Sequence, residues 1–363
     1  MEVLRVLKNN YITKEKPFSI VHFITNRCNA RCKHCFINFD DPNTFKGELT
    51  IDEIRQVTKT LGNSLFNVNL TGGEPFLRQD IYEIVQAYFE NTNIDSIFIT
   101  TNGRFTKLTK IFLDRFIASG LKKNIIFSLS IDNFKEAHDE NRRAELYDHV
   151  IETYNLIKNY NKPNIMANVA ITVTDHNYDK VIELYEYLKE KEKITAITAT
   201  AMREEGVIKK IDPKIKKNIY EVYSKLVATI KDDIISGKLE GFKRGMQGTI
   251  MNSKNMIVNS MFEKIYLKDE YISHCPAGAL FGVIGAEGTI YGCEILNKPL
   301  GNLRDNDLNF MKIWKNEKTQ EFKKFVKDTK CHCSYECAWS INIISNKEYI
   351  PQLINLSIKQ KLS

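Results

Sequence analysis

The chain has 363 residues, enough for one large α/β unit and a smaller appendage. Hydrophobic residues make up 43% and charged residues 27%, as in an ordinary globular protein, and the net charge of +7 is dispersed over many lysines, which argues against a nucleic-acid partner. The N-terminal stretch mixes charges into its apolar positions, and the longest weakly polar run, 276–286, is far too short for a membrane span. A cytosolic protein is therefore expected, and there the eight cysteines read as metal ligands rather than disulfides.

Taken in chain order, short runs rich in Ile, Val and Phe predict strands at 19–25, 67–71, 96–100, 125–131, 165–172 and 194–199. Amphipathic stretches predict helices at 51–61, 81–90, 108–117, 146–159 and 178–189. This alternation indicates parallel βαβ units, arranged as a partial (β/α) barrel or an open doubly wound sheet, with functional loops at the carboxyl ends of the strands. Two longer helical segments, 212–236 and 248–267, follow as a connector. The expected organisation is an α/β core at 1–202, a helical connector at 203–270, a small cysteine-rich α+β domain at 271–340 and a tail at 341–363.

The loop after the first strand carries Cys28, Cys32 and Cys35 with no fourth cysteine nearby. A closed zinc site wants four ligands, and an iron–sulfur cube normally takes four thiolates. Three suit a cube whose last iron stays open. The run resembles the radical S-adenosylmethionine (SAM) enzymes, whose members bind the amino and carboxylate groups of SAM to that iron. The resemblance implies a partial (β/α)6 barrel and a [4Fe-4S] cluster, and it puts His34 and Phe36 against the adenine. Gly72-Gly73-Glu74-Pro75, at the end of the second strand, resembles the family motif that holds the SAM amino group. Ser130 resembles its ribose- or carboxylate-binding serine, and Arg142 an arginine that pairs with the SAM carboxylate; Arg143 is an equally available neighbour. Asn102, in Thr101-Asn102-Gly103, flanks the ribose or simply makes a turn.

The remaining cysteines are Cys275, Cys293, Cys331, Cys333 and Cys337. Glu287-Gly288 predicts the tight turn of a hairpin that returns Cys293 beside Cys275. The spacing from Cys275 through Gly288 to Cys293 resembles the opening of SPASM/twitch extensions. Five thiols cannot fill two cubes, so one auxiliary [4Fe-4S] cluster is implied, held by Cys275, Cys293 and two of Cys331, Cys333 and Cys337. A zinc knuckle using the last three with His332 or His274 is the rival reading, and a second, incompletely ligated cluster a further one.

By resemblance, one electron passes from the reduced cluster to SAM, and the 5′-deoxyadenosyl radical abstracts hydrogen from a peptide or small-molecule substrate. The auxiliary cluster would accept the substrate's electron, and a flavodoxin or ferredoxin would be the electron donor. Only eighteen residues precede Ser19, which argues against an N-terminal leader-peptide module. The alternative is a zinc- or cluster-stabilised binding protein without radical chemistry; it leaves Gly-Gly-Glu-Pro unexplained.

Overall fold

The computed structural model describes residues 7–205, 210–242 and 245–362; the side chain of Cys337 is outside the described set. Six parallel strands, β1 (Ser19–Thr25), β2 (Asn67–Gly72), β3 (Ser96–Thr101), β4 (Asn124–Ser130), β5 (Ile165–Val173) and β6 (Ile197–Ala201), lie side by side in sequence order. Each crossover between neighbours includes a helix. The sheet does not close into a full barrel, and β6 forms one edge.

Alternation along the strands sorts the two faces. Ile97, Ile99, Ile125, Phe127, Leu129, Val169 and Ile171 are fully buried in the main apolar core. The intervening positions are mostly uncharged and polar, including Asn69, Thr71, Thr100, Ser128, Ser130 and Thr172. They bond to one another: Thr100 Oγ1 donates to Asn69 Oδ1 at 3.2 Å, and Asn168 Nδ2 to Thr198 Oγ1 at 2.9 Å. A sheet buried equally on both faces would be apolar on both. The polar face is the one open to a ligand.

The sheet continues past β1. Strands β7 (Phe281–Ile284), β8 (Thr289–Tyr291) and β9 (Pro299–Asn302) extend it to nine, and β7 pairs with β1 in parallel, Ser19 opposite Phe281. The cysteine-rich region thus shares a sheet with the core. Phe18, Val21 and Phe23 pack with Leu280, Phe281, Val283, Ala286 and Ile341 across the seam. Arg304 adds a polar tie, donating to both carboxylate oxygens of Glu53 at 2.6 and 2.9 Å and to the carbonyl of Gly47 at 2.7 Å. Glu53 also closes the capping box of the Ile51–Lys59 helix with Thr50.

The connector helices Pro213–Ile235 and Gly245–Tyr266 pack against each other, and the Gly245–Tyr266 helix also packs against Glu336–Ser345 and Ile350–Leu362. Ile257, Val258, Trp339, Ile343 and Tyr349 form a separate apolar cluster there. Elements with no counterpart in the sequence expectation include the Lys135–Arg142 helix, strand β9 and the Phe310–Trp314 and Glu317–Asp328 helices.

The seam buries five side chains of the C-terminal region, of which each large one contributes roughly 1.5–3 kcal/mol. That sum is comparable with the whole stability of a domain, about 5–15 kcal/mol. A chain ended after residue 270 is therefore expected to be insoluble or to lose cooperative melting. A soluble fragment with a sharp thermal transition would contradict the shared-sheet account.

Candidate active site

The three-cysteine loop is pinned from two sides by backbone. Gly73 N–H donates to the Thr25 carbonyl and Glu74 N–H to the Arg27 carbonyl, both at 2.8 Å. From the other side, Arg31 N–H reaches the Arg142 carbonyl at 2.9 Å and Lys33 N–H the Asn141 carbonyl at 3.0 Å. Those two acceptors are at the end of the Lys135–Arg142 helix, whose last carbonyls lack partners within the helix. The helix end and the loop satisfy each other.

Cys28, Cys32 and Cys35 line one cavity of about 470 Å³, counting its open mouth. Gly72, Gly73, Asn102, Ser130 and Arg142 line it as well, together with Thr71 and Thr100 from the polar face and Thr101 at the end of β3. Two side chains aim N–H groups at cysteine sulfurs: Asn102 Nδ2 is 3.9 Å from Cys28 Sγ and Arg142 Nη1 is 3.8 Å from Cys32 Sγ. Burial pushes the Cys28 thiol up to about 11, with Glu74, Cys32 and Cys35 adding to the rise and the Ala30 N–H opposing it. A metal that displaces the proton reverses that preference. The three mutually sensitive thiols on one wall fit a cube with one iron facing the cavity.

Gly-Gly-Glu-Pro acts here through shape. Gly72 has φ +133°, and a Cβ on Gly72 or Gly73 would collide with the carbonyl oxygens of Thr25 or Arg27. The glycines admit the backbone of the cysteine loop, a reason not read from the sequence. Glu74 is fully buried and accepts from Phe76 N–H at 3.0 Å, Thr101 Oγ1 at 2.7 Å and Asn102 N–H at 2.7 Å. It ties the ends of β2 and β3 together, and neither Glu74 nor Pro75 lines the cavity.

Arg142 is 6% exposed and donates through Nε and Nη2 to Asp132 Oδ2 at 3.1 and 2.6 Å. Burial opposes ionisation of Asp132, but Arg142, His34, His138 and the Thr172 N–H outweigh it and hold the carboxyl at about 2. Of the two neighbouring arginines, Arg142 lines the cavity, whereas Arg143 takes a left-handed backbone at the helix end. Asp132, which with Ser130 closes the fourth strand run of the sequence, is the residue that fixes Arg142. His34 lies behind the wall, its Nε2 3.9 Å from Asp132 Oδ2 and its Nδ1 3.3 Å from Asn141 Nδ2. Phe36 packs edge-on against Phe23 at 5.8 Å. Neither ring lines the cavity.

In the second region Gly288, φ +90°, makes the predicted turn, and Gly278 N–H donates to the Gly292 carbonyl at 3.1 Å, bringing the Cys275 and Cys293 segments together. Burial raises the Cys275 thiol to about 12, with Cys293 and Cys331 contributing. Burial likewise raises Cys333, with Cys275 and Cys293 contributing. Four thiols are therefore in electrostatic reach of one another. Cys337 begins its helix nearby in sequence, with its side chain outside the described residues.

Among the described residues no three His, Cys, Asp or Glu side chains close around a point that would grip a single ion. A zinc ion would need that closure, with Zn–S near ~2.3 Å. A cube offers each thiolate its own iron and takes a wider set. His332 is also committed elsewhere, its two ring nitrogens each 2.8 Å from the carbonyls of Lys330 and Asp269. The knuckle reading then depends on His274 and on Cys337, whose side chain is outside the described residues. A Gly73→Ala protein should lose at least half of the iron bound by the first loop while keeping that of the second, measured by iron content after anaerobic reconstitution. Full iron at both sites would refute the shape argument.

Comparison with known proteins agrees with this geometry. The family model of the radical SAM superfamily matches residues 23–204, and that of the SPASM iron–sulfur cluster-binding domain matches residues 275–338. Among solved structures, "Native anSMEcpe with bound AdoMet and Cp18Cys peptide" is similar at TM-score 0.59 and 20% identity, covering 96% of this chain and 100% of that one. A histidine-tagged anSMEcpe with bound AdoMet is similar at TM-score 0.61 and 19% identity, covering 94% and 95%. Streptococcus suis SuiB bound to precursor peptide SuiA is similar at TM-score 0.58 and 20% identity, covering 95% and 76%. No described helix is long and apolar enough to cross a membrane. With its core matched over half the chain and its cofactors therefore a [4Fe-4S] cluster with SAM plus auxiliary iron–sulfur, the chain belongs to the radical SAM superfamily and carries a SPASM domain.

Proposed function

We propose that this radical SAM enzyme is a cytosolic peptide-modifying oxidoreductase. Its first cluster would be held by Cys28, Cys32 and Cys35. A single auxiliary [4Fe-4S] cluster would be held by Cys275, Cys293, Cys331 and Cys333, with Cys337 the remaining candidate. The observation that carries the site assignment is the common cavity of the three cysteines, Gly72, Gly73, Ser130 and Arg142. Bound there, the cluster and SAM supply a 5′-deoxyadenosyl radical able to take hydrogen from an unactivated C–H bond.

The chain's own residues orient that chemistry. Arg142 is fixed by Asp132 through Nε and Nη2, which leaves Nη1 as a single charged donor for a carboxylate. Ser130 offers a hydroxyl at the adjacent strand end, and Asn102, positioned by Glu74, offers an amide. Glu74 and His34 are positioning residues in this scheme. The polar, uncharged face of the open sheet suits amide groups better than phosphates or carboxylates, which supports a peptide over an anionic metabolite. The peptides in the titles of the anSMEcpe and SuiB structures support the same choice. Flavodoxin or ferredoxin would deliver the electron.

Anaerobic protein should bind about eight irons per chain if two cubes form. Cys32→Ala should abolish SAM cleavage under dithionite, whereas Cys293→Ala should retain cleavage to 5′-deoxyadenosine and lose product. Transfer of deuterium from a labelled peptide into 5′-deoxyadenosine tests the substrate class. Tetrahedral zinc in place of iron at the first loop would overturn the whole reading, and equal loss of cleavage in both variants would overturn the division of labour.

A further inference from the structure

Arg203, two residues beyond β6, touches both cysteine regions. Its Nη2 donates to Glu294 Oε1 at 2.6 Å, and the two side chains are only 13% and 10% exposed. Its guanidinium carbon is 5.5 Å from the Phe36 ring centroid and 4.4 Å from that of Tyr335. The Tyr335 hydroxyl donates to the other oxygen of Glu294 at 2.5 Å, so one carboxylate grips both cation and phenol. Phe36 follows Cys35, Glu294 follows Cys293, and Tyr335 lies two residues after Cys333. The stack has a foot on each of two adjacent strands: Phe36 against Phe23 of β1 and, at 6.3 Å, Tyr335 against Phe281 of β7.

Burying an ion pair costs desolvation that an apolar pair of similar volume would avoid. A charge kept at this junction calls for an electrostatic reason. We propose that Arg203 tunes the auxiliary cluster: pinned beside Cys293 by Glu294, and held between Phe36 and Tyr335, it raises that cluster's reduction potential and sets the gap between the two cluster loops. The inference rests on the auxiliary-cluster reading above.

The physical basis is the sign of the charges. A cube with four thiolates is anionic and becomes more so when it gains an electron, so a nearby cation favours the reduced form. Low exposure keeps water and salt from screening the effect. Glu294 offsets part of Arg203, which makes the two residues opposite levers on one potential.

The test uses the full chain with Cys28, Cys32 and Cys35 changed to alanine, so that only the auxiliary cluster is read. Dithionite titration followed by electron paramagnetic resonance gives its midpoint. Arg203→Gln should lower the reduced-to-oxidised ratio at fixed potential about tenfold, or about 59 mV for one electron. Arg203→Lys, which keeps the charge, should retain most of the potential. Glu294→Gln should move it the opposite way. An unchanged midpoint in Arg203→Gln with full iron sinks the inference. If that variant fails to hold its cluster, Glu294→Gln decides, and absence of an upward shift there sinks it too. Absence of any cluster in the parent protein would instead bring down the auxiliary-cluster reading, a separate failure.

Discussion

The site depends on one interlock, the close approach of the β2 turn to the cysteine loop. Thr25 and Arg27 offer carbonyls to Gly73 and Glu74, and the approach is possible only because Gly72 and Gly73 lack side chains. Glu74 then carries the same constraint outward to Thr101 and Asn102. Three strand ends are thereby set in register before any cofactor is considered. The cysteines inherit their positions from hydrogen bonds that are individually worth only about 1 kcal/mol, but whose loss would leave buried backbone groups unpaired.

A second constraint works through charge. Asp132 and Arg142 are both buried, and each is tolerable only because of the other. The pair fixes a guanidinium at the cavity wall, and its Nη1 reaches toward Cys32. The same helix that supplies Arg142 also supplies the carbonyls that hold Arg31 and Lys33. Loop, helix end and strand end are thus joined by backbone and by charge at once.

Much of this is legible in the sequence because its physics is local. The strands expected at 19–25 and 67–71 follow from apolar periodicity, and the three-cysteine spacing speaks for itself as chemistry. The hairpin at Gly288 follows from the turn preference of one residue. What is not legible is long-range. Nothing in the 281–284 run says that it will lie beside β1 rather than form its own sheet. The Lys135–Arg142 helix is only eight residues long and carries little apolar periodicity; it is held by the loop it caps. The donors to Glu74 come from residues 76, 101 and 102, which only the fold brings to it.

The placement of β1 between β2 and β7 also governs how the chain can be made. Ser19 leaves the ribosome well before its partner Phe281, which lies 281 − 19 = 262 residues later. At translation rates of ~5–20 residues per second the gap amounts to roughly 13–52 s. Throughout that interval one flank of the nascent strand is bare, beside the segment destined to receive the first cluster. Cofactor loading and chaperone protection would then compete for the same stretch of polypeptide until β7 emerges.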